Sequence, residues 1–162
     1  MKLPESYYLG SDVVSIAKSL IGKFLFTRID GLTVCGYIVE TEAYNGIVDK
    51  ASHAYGNRLT PRTSIMFGQG GIAYVYLCYG IHEMLNVVTS VAGQPHAILI
   101  RAIQPTVGLD IMQARRNMAI IKPNITRGPG SVVKAMGISR KLNGISLNSD
   151  TMWIEHQGLI FP

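Results

Sequence analysis

The sequence predicts an α+β fold, a single domain with a curved, mainly antiparallel β-sheet core flanked by short helices. Five segments rich in β-branched and aromatic residues read as strands, against three that read as helices. Those strand segments lie near one another in sequence, so local pairing is expected. Asp30-Gly31, between two of them, is a strong signal for a two-residue hairpin turn. At 162 residues the chain can bury one core without disulfides or a structural metal, and no domain boundary is expected within 1–162.

The elements follow in order. Ser11 can cap a short helix in which Val13, Ile16, Ala17 and Leu20 share one face, and Gly22 is placed to end it. Phe24 to Ile29 and Leu32 to Tyr44 are strands joined by the Asp30-Gly31 turn. Residues 45–64 are polar and contain Gly and Pro, so they read as a surface loop, one that carries Lys50, His53, Arg58 and Arg62. Strands are expected at 72–79, 84–91 and 97–103, making a sheet of about five. Thr106 can cap a helix that runs to about Asn117. A last helix over 131–136 follows Gly128-Pro129-Gly130 and stops at Gly137.

Composition narrows the function classes. Fifteen Lys and Arg against ten Asp and Glu give a formal charge of +5 and a pI near 9.3, a mild bias toward polyanionic partners. Cys35 and Cys78 sit inside apolar strand-like runs with no CxxC pair and no clustered histidines, so buried thiols in a reducing compartment are expected and no metal site is. Residues 1–10 lack the charged-then-apolar pattern of an export signal, and the apolar runs are too short to span a bilayer. The expectation is a soluble, unexported protein with no membrane partner.

Within 32–44 the strand period of two puts Glu40, Glu42 and Tyr44 on one face and Tyr37, Val39, Thr41 and Ala43 on the other. Taken alone, a solvated strand face explains the two glutamates. Arg101, however, lies inside the apolar run 97–103, where a cation requires a partner anion. Glu40 or Glu42 is the expected partner, either in a structural ion pair or in a device that orients Glu42 and a water molecule it activates.

Other residues fit the same chemistry without proving it. Tyr74, Tyr76 and Cys78 share one strand face, as core aromatics commonly do. Tyr79-Gly80 at the strand's end permits a sharp turn that leaves a ring projecting, and such a ring can replace a base removed from its stack. His53 reads by default as a surface histidine. Asn86, in an apolar run, needs hydrogen-bond partners if buried, and its amide could test the edge of a bound base. The glycines of 67–71 match neither a Walker loop nor a dinucleotide fingerprint. Gly128-Pro129-Gly130-Ser131 opens a helix whose free N–H groups, with Arg127 and Lys134 beside them, could hold a phosphate; helix capping explains the same residues equally well.

The runs Ile38-Val39-Glu40-Thr41-Glu42-Ala43-Tyr44, Ala51-Ser52-His53, Thr60-Pro61-Arg62, Met66-Phe67, Tyr74-Val75-Tyr76-Leu77-Cys78-Tyr79-Gly80, Asn86 and Ile100-Arg101-Ala102 closely resemble the alkyladenine (3-methyladenine) DNA glycosylase family. The resemblance extends from about Ser11 to Glu155 in family order. It implies a general base at Glu42, with Arg101 helping to hold the attacking water. It further implies that Tyr44, His53 and Tyr76 surround a flipped base, that Tyr79 is the wedge filling the gap, and that Asn86 disfavours guanine by crowding its amino group. Arg62, Gly130, Ser131 and Lys134 are the expected phosphate contacts. Two departures stand out: Ser131 replaces a lysine frequent after Gly-Pro-Gly, and the sequence stops at Pro162, before a further family segment that lines the pocket.

The expected activity is that of a DNA repair hydrolase on double-stranded DNA containing damaged purines, cytoplasmic in a bacterium or nuclear in a eukaryote. It acts without cofactor or metal, as a monomer. No lysine lies in the Glu42 motif to form a Schiff base, which predicts a monofunctional enzyme without strand cleavage. A non-catalytic module for distorted DNA is the alternative from another class. A small-molecule enzyme using Glu42 and Arg101 is a third.

Overall fold

The structure, a computed structural model, describes residues 1–158. Its first helix, α1 (Val13–Leu20), buries Val13, Ile16, Ala17 and Leu20 as its periodicity demands. The cap is Asp12, not Ser11: its carboxylate accepts the Ser15 backbone N–H at 3.1 Å and the Ser15 hydroxyl at 2.7 Å. Asp12 wins because it is the extended residue directly before the first helical one. Strands β1 (Phe24–Ile29) and β2 (Leu32–Tyr44) have the expected bounds. Asp30 and Gly31 both take positive φ, 53° and 74°, as a tight hairpin matched to strand twist requires.

The later elements differ at their ends. Strands β3 (Ala73–Cys78) and β4 (His82–Thr89) lie within or near their expected spans, but β5 (His96–Val107) runs on well past 103. Thr106 is therefore a strand residue whose hydroxyl donates to the Cys35 carbonyl at 3.3 Å, not a helix cap. The cause is the length of β2, which pairs with β5 as far as Cys35 and Val107. Helix α2 (Leu109–Arg115) starts only after Gly108, and α3 (Pro129–Met136) begins at the proline, two positions ahead of the expected start. A sixth strand, β6 (Met152–Glu155), pairs antiparallel with β1. It is held by Trp153, stacked on Phe26 with ring centroids 5.1 Å apart.

The curled sheet has strand order β3-β4-β5-β2-β1-β6, with every neighbouring pair antiparallel. Val34, Ile38, Val75, Leu85, Val87, Ile98 and Ile100 meet Ile16, Leu20, Met112, Val132 and Met136 in the main core between sheet and helices. The alternate residues of β3, β4 and β5 form a smaller cluster, Tyr74, Val88 and Ala97, with Ala54 and Met66 from the connection between β2 and β3. Cys35 is buried, whereas Cys78, expected to be buried as well, is half-buried near the strand end; both are free thiols.

Strict alternation fails at one place that matters. Ile38 pairs with Ile103 and Glu40 with Ala102, leaving Val39 unpaired; Thr41 then pairs with Ile100, leaving Arg101 unpaired on the facing strand. This double irregularity switches which residues face the helices. Val34 and Ile38 do so before it. Thr41, whose hydroxyl donates to the Ala17 carbonyl at 3.0 Å, and Ala43 do so after it. Val39 is 45% exposed, so the expectation that it shares a face with Thr41 and Ala43 is corrected. Glu40, Glu42 and Tyr44 keep their common face.

Candidate active site

The irregularity in β5 aims Arg101 at both glutamates. Its Nε donates to Glu40 Oε1 at 3.0 Å and its Nη1 to Glu42 Oε2 at 2.7 Å. The Tyr44 hydroxyl donates to the other Glu42 oxygen, Oε1, at 2.9 Å. Burial, and then the bond to Glu42, push the Tyr44 hydroxyl pKa up, so it remains a donor. Burial works against the Arg101 charge, but the hydrogen bond to Glu40 and the charge of Glu42 outweigh it and hold the guanidinium above its ordinary value.

These side chains stay accessible: Arg101 is 36% exposed, Glu42 43% and Glu40 55%. Open ion pairs contribute at most about 1 kcal/mol to folding, so stability gives little reason for the cluster. What it does achieve is orientation, because Glu42 is held at both oxygens while solvent still reaches it.

Tyr44 also forms one wall of a cavity that is further lined by Ala51, His53, Met66, Tyr74, Tyr76, Asn86 and Ala97. Alternation along β3 places Tyr74 and Tyr76 on the same side, ring centroids 5.2 Å apart. The His53 ring meets Tyr76 edge-on at 4.5 Å. The default reading of His53 as a surface residue is thus corrected: it is half-buried in an aromatic wall. Burial, then the charge of Arg62, lowers its pKa, and at neutral pH the imidazole is uncharged. Asn86, paired with Tyr74 across β3 and β4, is 2% exposed. Its Nδ2 reaches the Tyr74 carbonyl at a long 3.5 Å, and the Asn86 amide also lies within hydrogen-bonding reach of the Tyr76 hydroxyl.

Tyr79 follows β3 in a turn, with φ of 51° at Tyr79 and 69° at Gly80. The ring stands 95% exposed, and Ile81 beside it is 75% exposed. Arg62, expected among the phosphate contacts, lies over the Tyr76 ring at 5.2 Å. Gly130, Ser131 and Lys134 line a separate groove at the start of α3, together with Ile81 and His82 of the β3–β4 hairpin. Gly128 occupies the cap position, so the cap residue itself supplies no side-chain acceptor to the first N–H groups of α3.

Ala51, Met66, Tyr74 and Ala97 are the cavity residues that the sequence did not assign to the site. The shared face of Tyr74 and Tyr76 was the available signal for Tyr74; the other three have no chemistry-bearing side chain to mark them. Among the described residues no group of three His, Cys, Asp or Glu side chains is gathered to hold a metal ion, and no helix is long and apolar enough to cross a membrane.

A family model described as methylpurine-DNA glycosylase matches residues 7–160. The chain belongs to the methylpurine-DNA glycosylase family. Among curated members, a Chlamydia felis protein named as a 3-methyladenine DNA glycosylase is 48% identical over 157 residues, covering 96% of this chain and 80% of that protein. A Bacillus cereus protein of the same name is 47% identical over 160 residues, covering 96% and 78%. A Chlamydia pneumoniae protein, again so named, is 47% identical over 156 residues, covering 96% and 80%. The methylpurine-DNA glycosylase family match spans both strands that carry the Glu42–Arg101 pair and the hairpin that carries Tyr79.

Proposed function

We propose that this protein is a monofunctional DNA glycosylase that hydrolyses the N-glycosidic bond of flipped-out alkylated or deaminated purines in double-stranded DNA, leaving an abasic site. The observation that carries the reading is a carboxylate fixed at both oxygens, by Arg101 at 2.7 Å and Tyr44 at 2.9 Å, where Tyr44 also walls an aromatic cavity. Family membership supports the substrate class.

Chemistry on a base inside a duplex requires extrusion, at a cost of a few kcal/mol that is smallest for damaged or mispaired bases. Tyr79, projecting from its hairpin, fills the vacated position. The extruded base enters between Tyr44 on one side and His53 with Tyr76 on the other, and Asn86 crowds the amino group of normal guanine. Alkylation at N3 or N7 makes the purine a cationic leaving group, so the bond breaks through an oxocarbenium-like state. Glu42 stabilises that developing charge and takes a proton from the water that attacks the anomeric carbon, with Arg101 holding both. Gly130, Ser131 and Lys134 contact a backbone phosphate and set the register of the duplex. The protein acts as a monomer and needs no cofactor.

The test is release of free base from duplexes carrying 3-methyladenine, 7-methylguanine, hypoxanthine or ethenoadenine. The reading expects free purine and a strand that breaks only after alkali treatment. Binding without release would favour a non-catalytic damage-recognition module, and strand breakage without alkali would contradict monofunctional hydrolysis.

A further inference from the structure

Within the cavity lining, His53 Nδ1 and the Tyr74 hydroxyl lie 3.0 Å apart, and Tyr74 is 2% exposed. That distance is compatible with two arrangements, the hydroxyl donating to Nδ1 or an Nδ1–H donating to the oxygen. Arg62 decides between them. Its guanidinium, over the Tyr76 ring, is within donating reach of the Tyr74 oxygen. A guanidinium offers donors only, so it uses an acceptor position on Tyr74 and cannot take the hydroxyl proton. Buried hydroxyls donate where an acceptor is in reach. Among the described residues, Nδ1 of His53 is the acceptor that the Tyr74 hydroxyl has.

We propose that Arg62 and Tyr74 are positioning residues that fix His53 with Nδ1 as acceptor and its proton on Nε2, giving the cavity a histidine that stays uncharged against a cationic purine. This rests on reading the cavity as the seat of an alkylated base. The titratable and charged groups around the ring are Tyr74 and Tyr76 from β3, Arg62 from the preceding loop, and Tyr44 across the cavity. Arg62 is the cation among them. Burial first, then Arg62, lowers the His53 pKa.

The sign follows directly. Protonated His53 would place like charge against an N3- or N7-alkylated purine, and both its nitrogens would be donors, costing it the bond from Tyr74. Capture of cationic lesions is therefore intact above the His53 pKa and lost as pH falls through it. Removing the Arg62 charge raises that pKa and moves the loss toward neutrality. Neutral lesions such as hypoxanthine escape this charge repulsion.

The experiment is imidazole ¹⁵N–¹H correlation on ¹⁵N-labelled full-length protein, with His53 assigned by comparison with His53→Gln. The proposal expects an unprotonated, hydrogen-bond-accepting Nδ1 and a protonated Nε2 in the wild-type protein. It also expects a His53 titration midpoint that moves up in both Arg62→Gln and Tyr74→Phe. A protonated Nδ1 overturns it without any variant, and so does a midpoint unmoved in Arg62→Gln or lowered in Tyr74→Phe, the direction expected if Nδ1–H were the donor. In binding titrations, Arg62→Gln loses 7-methylguanine duplex at higher pH than wild type, while the pH dependence for hypoxanthine duplex is unchanged. Base release with a protonated Nδ1 defeats this inference alone; the expected spectrum without base release defeats the glycosylase reading alone.

Discussion

Glu42 and Tyr79 bracket the two physical tasks of the site, one held rigidly and the other left free. A cation in the apolar run 97–103 demanded an anion, and the structure supplies two, Glu40 at 3.0 Å and Glu42 at 2.7 Å. This part of the site was legible in the sequence because a cation inside an apolar run points to a nearby anion, even though the guanidinium proves to be 36% exposed. His53 was not legible in the same way. Its place in the cavity depends on Tyr74 and Tyr76, more than twenty residues away on a different element, and a polar loop sequence gives no sign of that packing. Tyr79 makes the simplest prediction at this scale. With its ring 95% exposed, Tyr79→Ala costs the fold little but weakens lesion capture by up to about 3 kcal/mol, the range for base–aromatic stacking. Equilibrium binding to lesion duplex checks this, and unchanged affinity would remove the wedge role.

The β2–β5 ladder shows where strand periodicity stops being a reliable guide. Propensity and the Asp30-Gly31 turn were enough to place β1 and β2, because both signals are local. The unpaired residues Val39 and Arg101 are not local features: they arise from how two strands match across the sheet, and no spacing within either strand reveals them. Strand β6 escaped notice for a related reason, being four residues long and fixed by Phe26 and by pairing with β1. The irregularity yields a test that alternation alone would not. Ile38 is fully buried and Val39 is 45% exposed, so Ile38→Ala is expected to cost about 2–5 kcal/mol, while Val39→Ala stays within about 0.5 kcal/mol. Urea denaturation of the two variants measures both, and equal losses would contradict the observed pairing.

At the scale of the whole molecule, the sheet separates structure from chemistry. The main core lies between the sheet and α1, α2 and α3, while Tyr74, Val88 and Ala97 sit in the second cluster, where the cavity forms. The hairpin bearing Tyr79 also reaches the groove at the start of α3, so a duplex engaged by the wedge would lie alongside Ser131 and Lys134. The net charge of +5 suits that partner but did not identify it. Binding is expected to weaken linearly in log–log form as salt rises, and Lys134→Ala to reduce that slope by about 1, as loss of one phosphate contact does. Anisotropy titrations across a salt series check this; an unaltered slope would take Lys134 off the DNA.

The central claim is that Glu42 activates the water that displaces the base. The most direct measurement is single-turnover base release from one alkylated duplex by wild type and Glu42→Gln, with binding to the same duplex measured in parallel. The glutamine keeps the size of the side chain and can still accept from Arg101 or Tyr44, but it is no base. The account expects release to fall by at least about 10²-fold, the lower end of general-base contributions, with lesion binding retained. Near-wild-type release by Glu42→Gln would contradict it.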